Sequence, residues 1–216
     1  MVDFNSAISV INLTKRFGND IVLNDVSRNF KRGKIHGIVG NNGSGKTVLM
    51  KCICGFYTPT GGSVFIGYKE VGKDMDFPDD IGIIIETPGF LPNLSGVKNL
   101  RLLASLRRIT YEKAIRDIIK LVGLDPDMKK PVGKYSLGMR QRLGIAQAIM
   151  ENPSILILDE PFNGLDKNGA AEMRVLIKRL REHGKTIILA SHNQHDIDEL
   201  CDTVCEMDAG VLTEVR

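Results

Sequence analysis

Apolar and polar positions change rhythm along this chain, and each change predicts a different kind of element. Ala7 to Leu13, Ile21 to Phe30 and Lys34 to Val39 carry short β-type runs, separated by Gly18-Asn19-Asp20 and Lys31-Arg32-Gly33, and predict three opening strands. An apolar helix beginning at Val48, Leu49 and Met50 follows. After the turn Tyr57-Thr-Pro-Thr-Gly-Gly, strand character returns at Ser63 to Ile66 and Ile81 to Ile85. The second of these runs has no polar side chain, which predicts burial on both faces.

From Thr87 to Pro153 the texture is helical. Pro88, Gly89 and Pro92 lead into helices expected at Val97 to Arg107 and Tyr111 to Val122, with another at Met139 to Met150. From Ser154 strands and helices alternate: strand Ile155 to Leu158, a helix from about Asn168 to His183, strand Thr186 to Ala190, a helix from His195 to Cys201, and short strands to Val215. Such alternation predicts an α/β fold with a largely parallel sheet and helices on both faces. The expected organisation is one domain over 1–216, with a core from 1–86 and 154–216 and a helical insert at 87–153. No internal repeat, heptad run or low-complexity linker interrupts it.

Composition narrows the class. Apolar residues make up 43% and charged residues 25% of 216 positions, ordinary values for a folded globular protein. The net charge of +3 arises from short basic clusters at Lys31 to Lys34, Lys129 to Lys134 and Lys178 to Lys185. These read as solvated surface, so no nucleic-acid partner is expected. No apolar run approaches the roughly 18 residues of a membrane span, and Asp3 and Asn5 stand where a signal peptide needs an apolar core, so a cytosolic chain is expected. Cys52, Cys54, Cys201 and Cys205 have poor spacing for zinc and are expected as free thiols.

The chemistry is concentrated in contiguous runs. Directly after Ile35, Gly37, Ile38 and Val39 comes the octet Gly40, Asn41, Asn42, Gly43, Ser44, Gly45, Lys46, Thr47. Its glycines let the backbone curl with N–H groups inward, and the helix that starts there adds its positive dipole end, which makes an anion cradle. Lys46 can reach β- and γ-phosphates as a point charge, and the Thr47 hydroxyl can hold Mg²⁺. Asp159 and Glu160 close the apolar run Ile155 to Leu158, at the strand end where α/β sheets bind ligands. An Asp there supports Mg²⁺, and a following Glu polarises the water that attacks the γ-phosphate.

The segment Tyr135-Ser-Leu-Gly-Met-Arg-Gln-Arg-Leu-Gly-Ile-Ala146 resembles the signature of the ATP-binding cassette ATPases. The resemblance covers essentially the whole chain, with the motifs in the family's order. It implies the fold of a phosphate-loop nucleotide hydrolase, a sheet between helices with an N-terminal antiparallel β subdomain and an inserted helical subdomain. It implies ATP and Mg²⁺ as cofactors, with Lys46, Glu160 and His192 at the reaction and Thr47, Glu86 and Asp159 toward the metal. Ser136 and Gly138 would cover the γ-phosphate of ATP bound to a second copy. Phe17 looks like the aromatic that stacks on adenine, Asn163-Gly-Leu-Asp166 like the loop joining the two sites, and His192 like the switch histidine. Without the family, Phe17 reads as a core aromatic and His192 as a structural residue at a strand end.

The chain departs from the family pattern in three places, at four positions. Glu86 stands where Gln is usual, an acceptor-only group that adds charge yet can still ligate Mg²⁺. Val48 replaces a hydroxyl residue, so one side-chain contact to the α-phosphate should be missing. Leu137 and Met139 replace a Gly and a Gln of the common signature. Ile-Glu-Thr-Pro together with Tyr-Ser-Leu-Gly-Met-Arg-Gln is similar to the bacitracin-type and lantibiotic-immunity branch of bacterial exporters. The resemblance therefore implies the ATPase subunit of an exporter of antimicrobial peptides or drugs. It would work on a separate transmembrane permease subunit, as a homodimer or heterodimer with a second such ATPase, peripheral on the inner face of the cell membrane. A non-transport ATPase of chromosome maintenance would need long heptad arms, and a ribosomal one tandem cassettes; neither is present. A regulatory module with little turnover is disfavoured by Glu160 and His192.

Overall fold

Two sheets share the fold in a computed structural model that describes residues 5–106 and 112–216. Arg107 and Tyr111, the expected ends of two helices, lie outside the described residues, as does Asp3. The first sheet is antiparallel and contains β1 (Ser6–Phe17), β2 (Asp20–Lys31), β4 (Gly61–Ile66) and β5 (Lys69–Glu70), in the order β2-β1-β4-β5. Its first hairpin turns on Gly18 and Asn19 alone, since Phe17 pairs with Asp20. Gly18 takes φ +58°, the left-handed conformation a two-residue hairpin requires.

The second sheet has six strands in the order β10-β9-β3-β8-β7-β6. These are β3 (Ile35–Val39), β6 (Ile81–Ile84), β7 (Ile155–Asp159), β8 (Thr186–Ala190), β9 (Thr203–Asp208) and β10 (Val211–Glu214). All neighbours run parallel except β9 and β10. Alternate residues feed two cores, as the two-residue period of a strand dictates. Leu156, Leu158, Ile187 and Leu189 pack with the helical side, among them Leu100 and Leu143. Ile155, Ile157, Ile188 and Ile38 pack with the first sheet and with Leu49 and Met50.

The helices are α1 (Lys46–Ile53), α2 (Gly96–Leu106), α3 (Glu112–Leu121), α4 (Leu137–Ile149), α5 (Lys167–Glu182) and α6 (Gln194–Leu200). In three of them a side chain caps the first turn, one or two residues ahead of the start that apolar periodicity predicts. The Ser136 hydroxyl accepts from Met139 N at 3.2 Å, Asp166 from Gly169 N at 3.0 Å and Asn193 from His195 N at 3.0 Å. One expectation is corrected: Ile81 and Ile83 are only partly covered, while Gly82 and Ile84 are buried. The strand is apolar throughout, yet it forms the sheet's edge, and one of its faces opens onto a surface groove. All four cysteines are free, and burial pushes the Cys54 and Cys201 thiols up to about 12 and Cys52 to about 11, far from thiolate chemistry at neutral pH.

Candidate nucleotide site

The phosphate loop joins β3 to α1, and two of its glycines are required by space as well as conformation. A Cβ on Gly40, at φ +142°, would lie 2.2 Å from the Met207 carbonyl oxygen. One on Gly45, at φ +116°, would lie 2.9 Å from that of Val22. The loop therefore presses against β2 and the β9–β10 hairpin, and Gly210 N donates to Ser44 O at 3.0 Å to hold it there. Lys46 is buried and folds back over the loop, its Nζ donating to Gly40 O at 2.6 Å and Asn41 O at 2.9 Å. The Ser44 hydroxyl is buried without a hydrogen-bond partner among the described residues.

Parallel pairing of β7 between β6 and β8 brings the acids to the same place. Thr47 Oγ1 donates to Asp159 Oδ2 at 2.7 Å, across 112 positions of chain. Glu160 takes φ +50°, its N–H donates to Ala190 O at 3.0 Å, and its Oε2 lies 2.8 Å from His192 Nδ1. A left-handed glutamate is strained by about 1 kcal/mol or more, a cost found where surrounding structure fixes a functional side chain. Behind His192, Asp196 is buried and receives hydrogen bonds from the Ser191 hydroxyl at 3.1 Å and Arg174 Nη1 at 2.8 Å. Asn193 N donates to Ser191 Oγ at 3.1 Å, so the loop carrying His192 is held on both sides.

These groups line one cleft of about 450 Å³. Asn42, Gly43, Gly45, Lys46, Thr47 and Val48 form one wall, and Glu86, Asp159 and Glu160 meet it from strand ends. Gly40, Asn41 and Ser44 stand behind that wall, and His192 reaches it through Glu160. Phe17, expected to stack on adenine, does not line it, nor do Ser136 and Gly138, expected at the nucleotide of a second copy. Phe17 is exposed at the end of β1, with its ring 5.3 Å from Tyr57 and Lys15 Nζ 4.9 Å above it. Ser136 is exposed at the start of α4, and Gly138 packs on the next loop, where a Cβ would meet Gly164 O at 2.8 Å. The signature segment and the Asn163–Asp166 loop thus support one another within the chain.

Two contacts escape a sequence reading. Gln141 is buried and donates to Glu160 O at 3.2 Å, tying α4 to the acid at the strand end. Lys51 Nζ donates to Glu86 Oε1 at 2.6 Å, and this bond raises the lysine above its ordinary value of 10.5. The available signal is spacing: Lys51 follows Thr47 by four residues and shares its helix face. Glu86 itself sits at φ +60°.

The family described as ABC transporter matches residues 23–163. The uncharacterized ABC transporter ATP-binding protein YybJ of Bacillus subtilis (strain 168) is 43% identical over 205 residues, 95% of this chain and 94% of its own length. The bacitracin transport ATP-binding protein BcrA of Enterococcus faecalis is 41% identical over 218 residues, 99% of this chain and 70% of its own. A dimeric structure of a bacterial ABC transporter cassette superimposes with a TM-score of 0.86 at 25% identity, over 97% of this chain and 99% of that one.

Proposed function

The chain belongs to the ABC transporter family as an ATP-binding and ATP-hydrolysing cassette, and we propose that it energises the export of a peptide antibiotic through a separate membrane permease. The observation that carries the catalytic half is the single cleft joining the phosphate loop, the Thr47–Asp159 pair and the Glu160–His192 pair. Its loop fits phosphate, because Lys46 supplies the charge and the buried Ser44 hydroxyl has no hydrogen-bond partner among the described residues. Its oxygen donors fit Mg²⁺, a hard cation suited to a hydroxyl and a carboxylate, and Thr47 and Asp159 would hold it. When bound, Mg²⁺ neutralises charge on the phosphate oxygens. Glu160 would draw the proton from the attacking water, and His192, 2.8 Å from that carboxylate, would orient it and serve as the γ-phosphate contact.

Ser136 and Leu137 face outward at the start of α4, an arrangement that supports a second ATPase copy laying its nucleotide against this signature. The segment 87–153 acts as the helical subdomain and 1–86 with 154–216 as the core. The permease partner is supported by an apolar groove of about 330 Å³ beside β6, where Phe56, Phe77 and Leu106 are exposed together. No helix among the described residues is long and apolar enough to cross a membrane, so the chain would sit on the inner membrane face through that partner. The bacitracin relative supports a peptide antibiotic as cargo. The test is co-expression with a candidate multi-span permease: the chain should sediment with membranes only when that permease is present, and cells should gain resistance to bacitracin. A chain that stays in the supernatant beside the permease refutes the transport role, and failure to release phosphate from ATP refutes the catalytic one.

A further inference from the structure

Glu86 stands at a wall shared by two hollows. One is the nucleotide cleft; the other, about 370 Å³, is lined by Lys51, Tyr57, Gly144 and Gln147 on the far side. Its carboxylate is held at the second hollow by Lys51 Nζ at 2.6 Å, through Oε1. Lys51 is well placed to do this. Its side chain is only 17% exposed, and its ammonium lies 5.4 Å from the centre of the Tyr57 ring, which limits its rotamers. It also lies one helical turn after Thr47, so a single face of α1 presents both the candidate Mg²⁺ hydroxyl and the cation that binds Glu86. Glu86 is 63% exposed, which keeps its end of the pair wet and exchangeable.

We propose that Lys51 is a positioning residue for Glu86: it holds the carboxylate at the second hollow and so sets how readily Glu86 turns to the Mg²⁺-nucleotide in the first. This rests on the Mg²⁺-dependent ATPase function proposed above. A neutral glutamine at this position would form no ion pair; Glu86 forms one with Lys51, at a strength a divalent cation can overcome. An exposed pair shifts an equilibrium by about twofold to fivefold, enough to bias the choice without locking it. A merely structural bridge between α1 and the loop after β6 would affect stability and leave the Mg²⁺ dependence of nucleotide binding unmoved.

The experiment titrates trinitrophenyl-ATP onto the wild-type protein, Lys51→Met, Glu86→Gln and the double variant over graded Mg²⁺, following equilibrium fluorescence with thermal melts alongside. Lys51→Met should lower the half-saturating Mg²⁺ about twofold to fivefold, because Glu86 loses its competing partner. Glu86→Gln should raise it. In the double variant the effect of Lys51→Met should vanish, the non-additivity expected of two groups in contact. Lys51→Arg, which keeps the pair, should follow wild type and covers the case in which Lys51→Met does not fold. An equal Mg²⁺ shift with and without Glu86 overturns the proposal as a general charge effect. So does a lowered melting temperature with no Mg²⁺ shift in any variant. If the wild-type protein binds no nucleotide at any Mg²⁺ concentration, the ATPase function falls and this role with it, whereas normal wild-type Mg²⁺ dependence with an unmoved Glu86→Gln curve sinks this role alone.

Discussion

Replacing Glu160 by glutamine separates chemistry from architecture at the strand end. The amide keeps the shape of the side chain, and its Cβ tolerates φ +50° no worse than that of glutamate. The bond lost or weakened is that to His192, 2.8 Å away, whose side chain is 72% exposed. A pair that wet contributes at most about 1 kcal/mol, so the melting temperature should fall by no more than roughly 2–4 °C for a chain of this size. The nucleotide wall is untouched: Lys46 keeps its bonds to Gly40 O and Asn41 O, and Thr47 keeps Asp159. Catalysis is different in scale. A general base contributes about 10²–10⁴-fold, or roughly 3–5 kcal/mol of barrier, and an amide cannot take the proton. Steady-state phosphate release should therefore drop by about two to four orders of magnitude while ATP affinity stays within a few-fold. Sizing chromatography with ATP should show a trapped dimer in the variant. A variant hydrolysing at the wild-type rate refutes the assignment of the base. A loss of hydrolysis matched by an equal loss of nucleotide binding refutes the separation of roles.

Lys46→Ala should weaken ATP binding by at least about tenfold, the cost of a charged hydrogen bond, and equilibrium titration within a few-fold of wild type would remove Lys46 from the phosphates. Gly40→Ala should cost on the order of 3 kcal/mol or more, since its Cβ would press to 2.2 Å on Met207 O at a φ of +142°; an unchanged urea midpoint would show that the loop has room. Burial holds the His36 imidazole below its ordinary value of 6.5. The neutral ring is satisfied by Thr203 Oγ1 at 2.7 Å and Lys31 O at 2.9 Å. The unfolded chain therefore takes up a proton below 6.5 that the folded chain refuses, and stability should fall as pH drops from 7.5 to 5.5 by up to about 1.4 kcal/mol per unit. Urea unfolding at both pH values should show this slope flattened in His36→Gln; an identical slope would clear His36 of the effect.

The strands at Ile155–Asp159 and Thr186–Ala190 and the phosphate loop between Val39 and Lys46 were legible in the sequence because their causes are local. The apolar runs of β7 and β8 mark buried strands, and eight consecutive residues from Gly40 to Thr47 carry their own backbone geometry and chemistry. Helix starts were legible less sharply, because Ser136 and Asp166 act through a single hydrogen bond each and not through periodicity. What remained hidden depends on elements far apart in the chain. Nothing near Ile81–Ile84 says that this strand ends the sheet, since an edge is defined by the absence of a neighbour. Nothing near Phe17 says that its ring meets Tyr57 outside the cleft. Thr47 meets Asp159, Glu160 meets His192 and Lys51 meets Glu86 only because the parallel order of β3, β8, β7 and β6 stacks their carboxyl ends side by side. Residue type and spacing along the chain determined which groups were available; the long-range pairing of strands decided which of them stand within a hydrogen bond of one another.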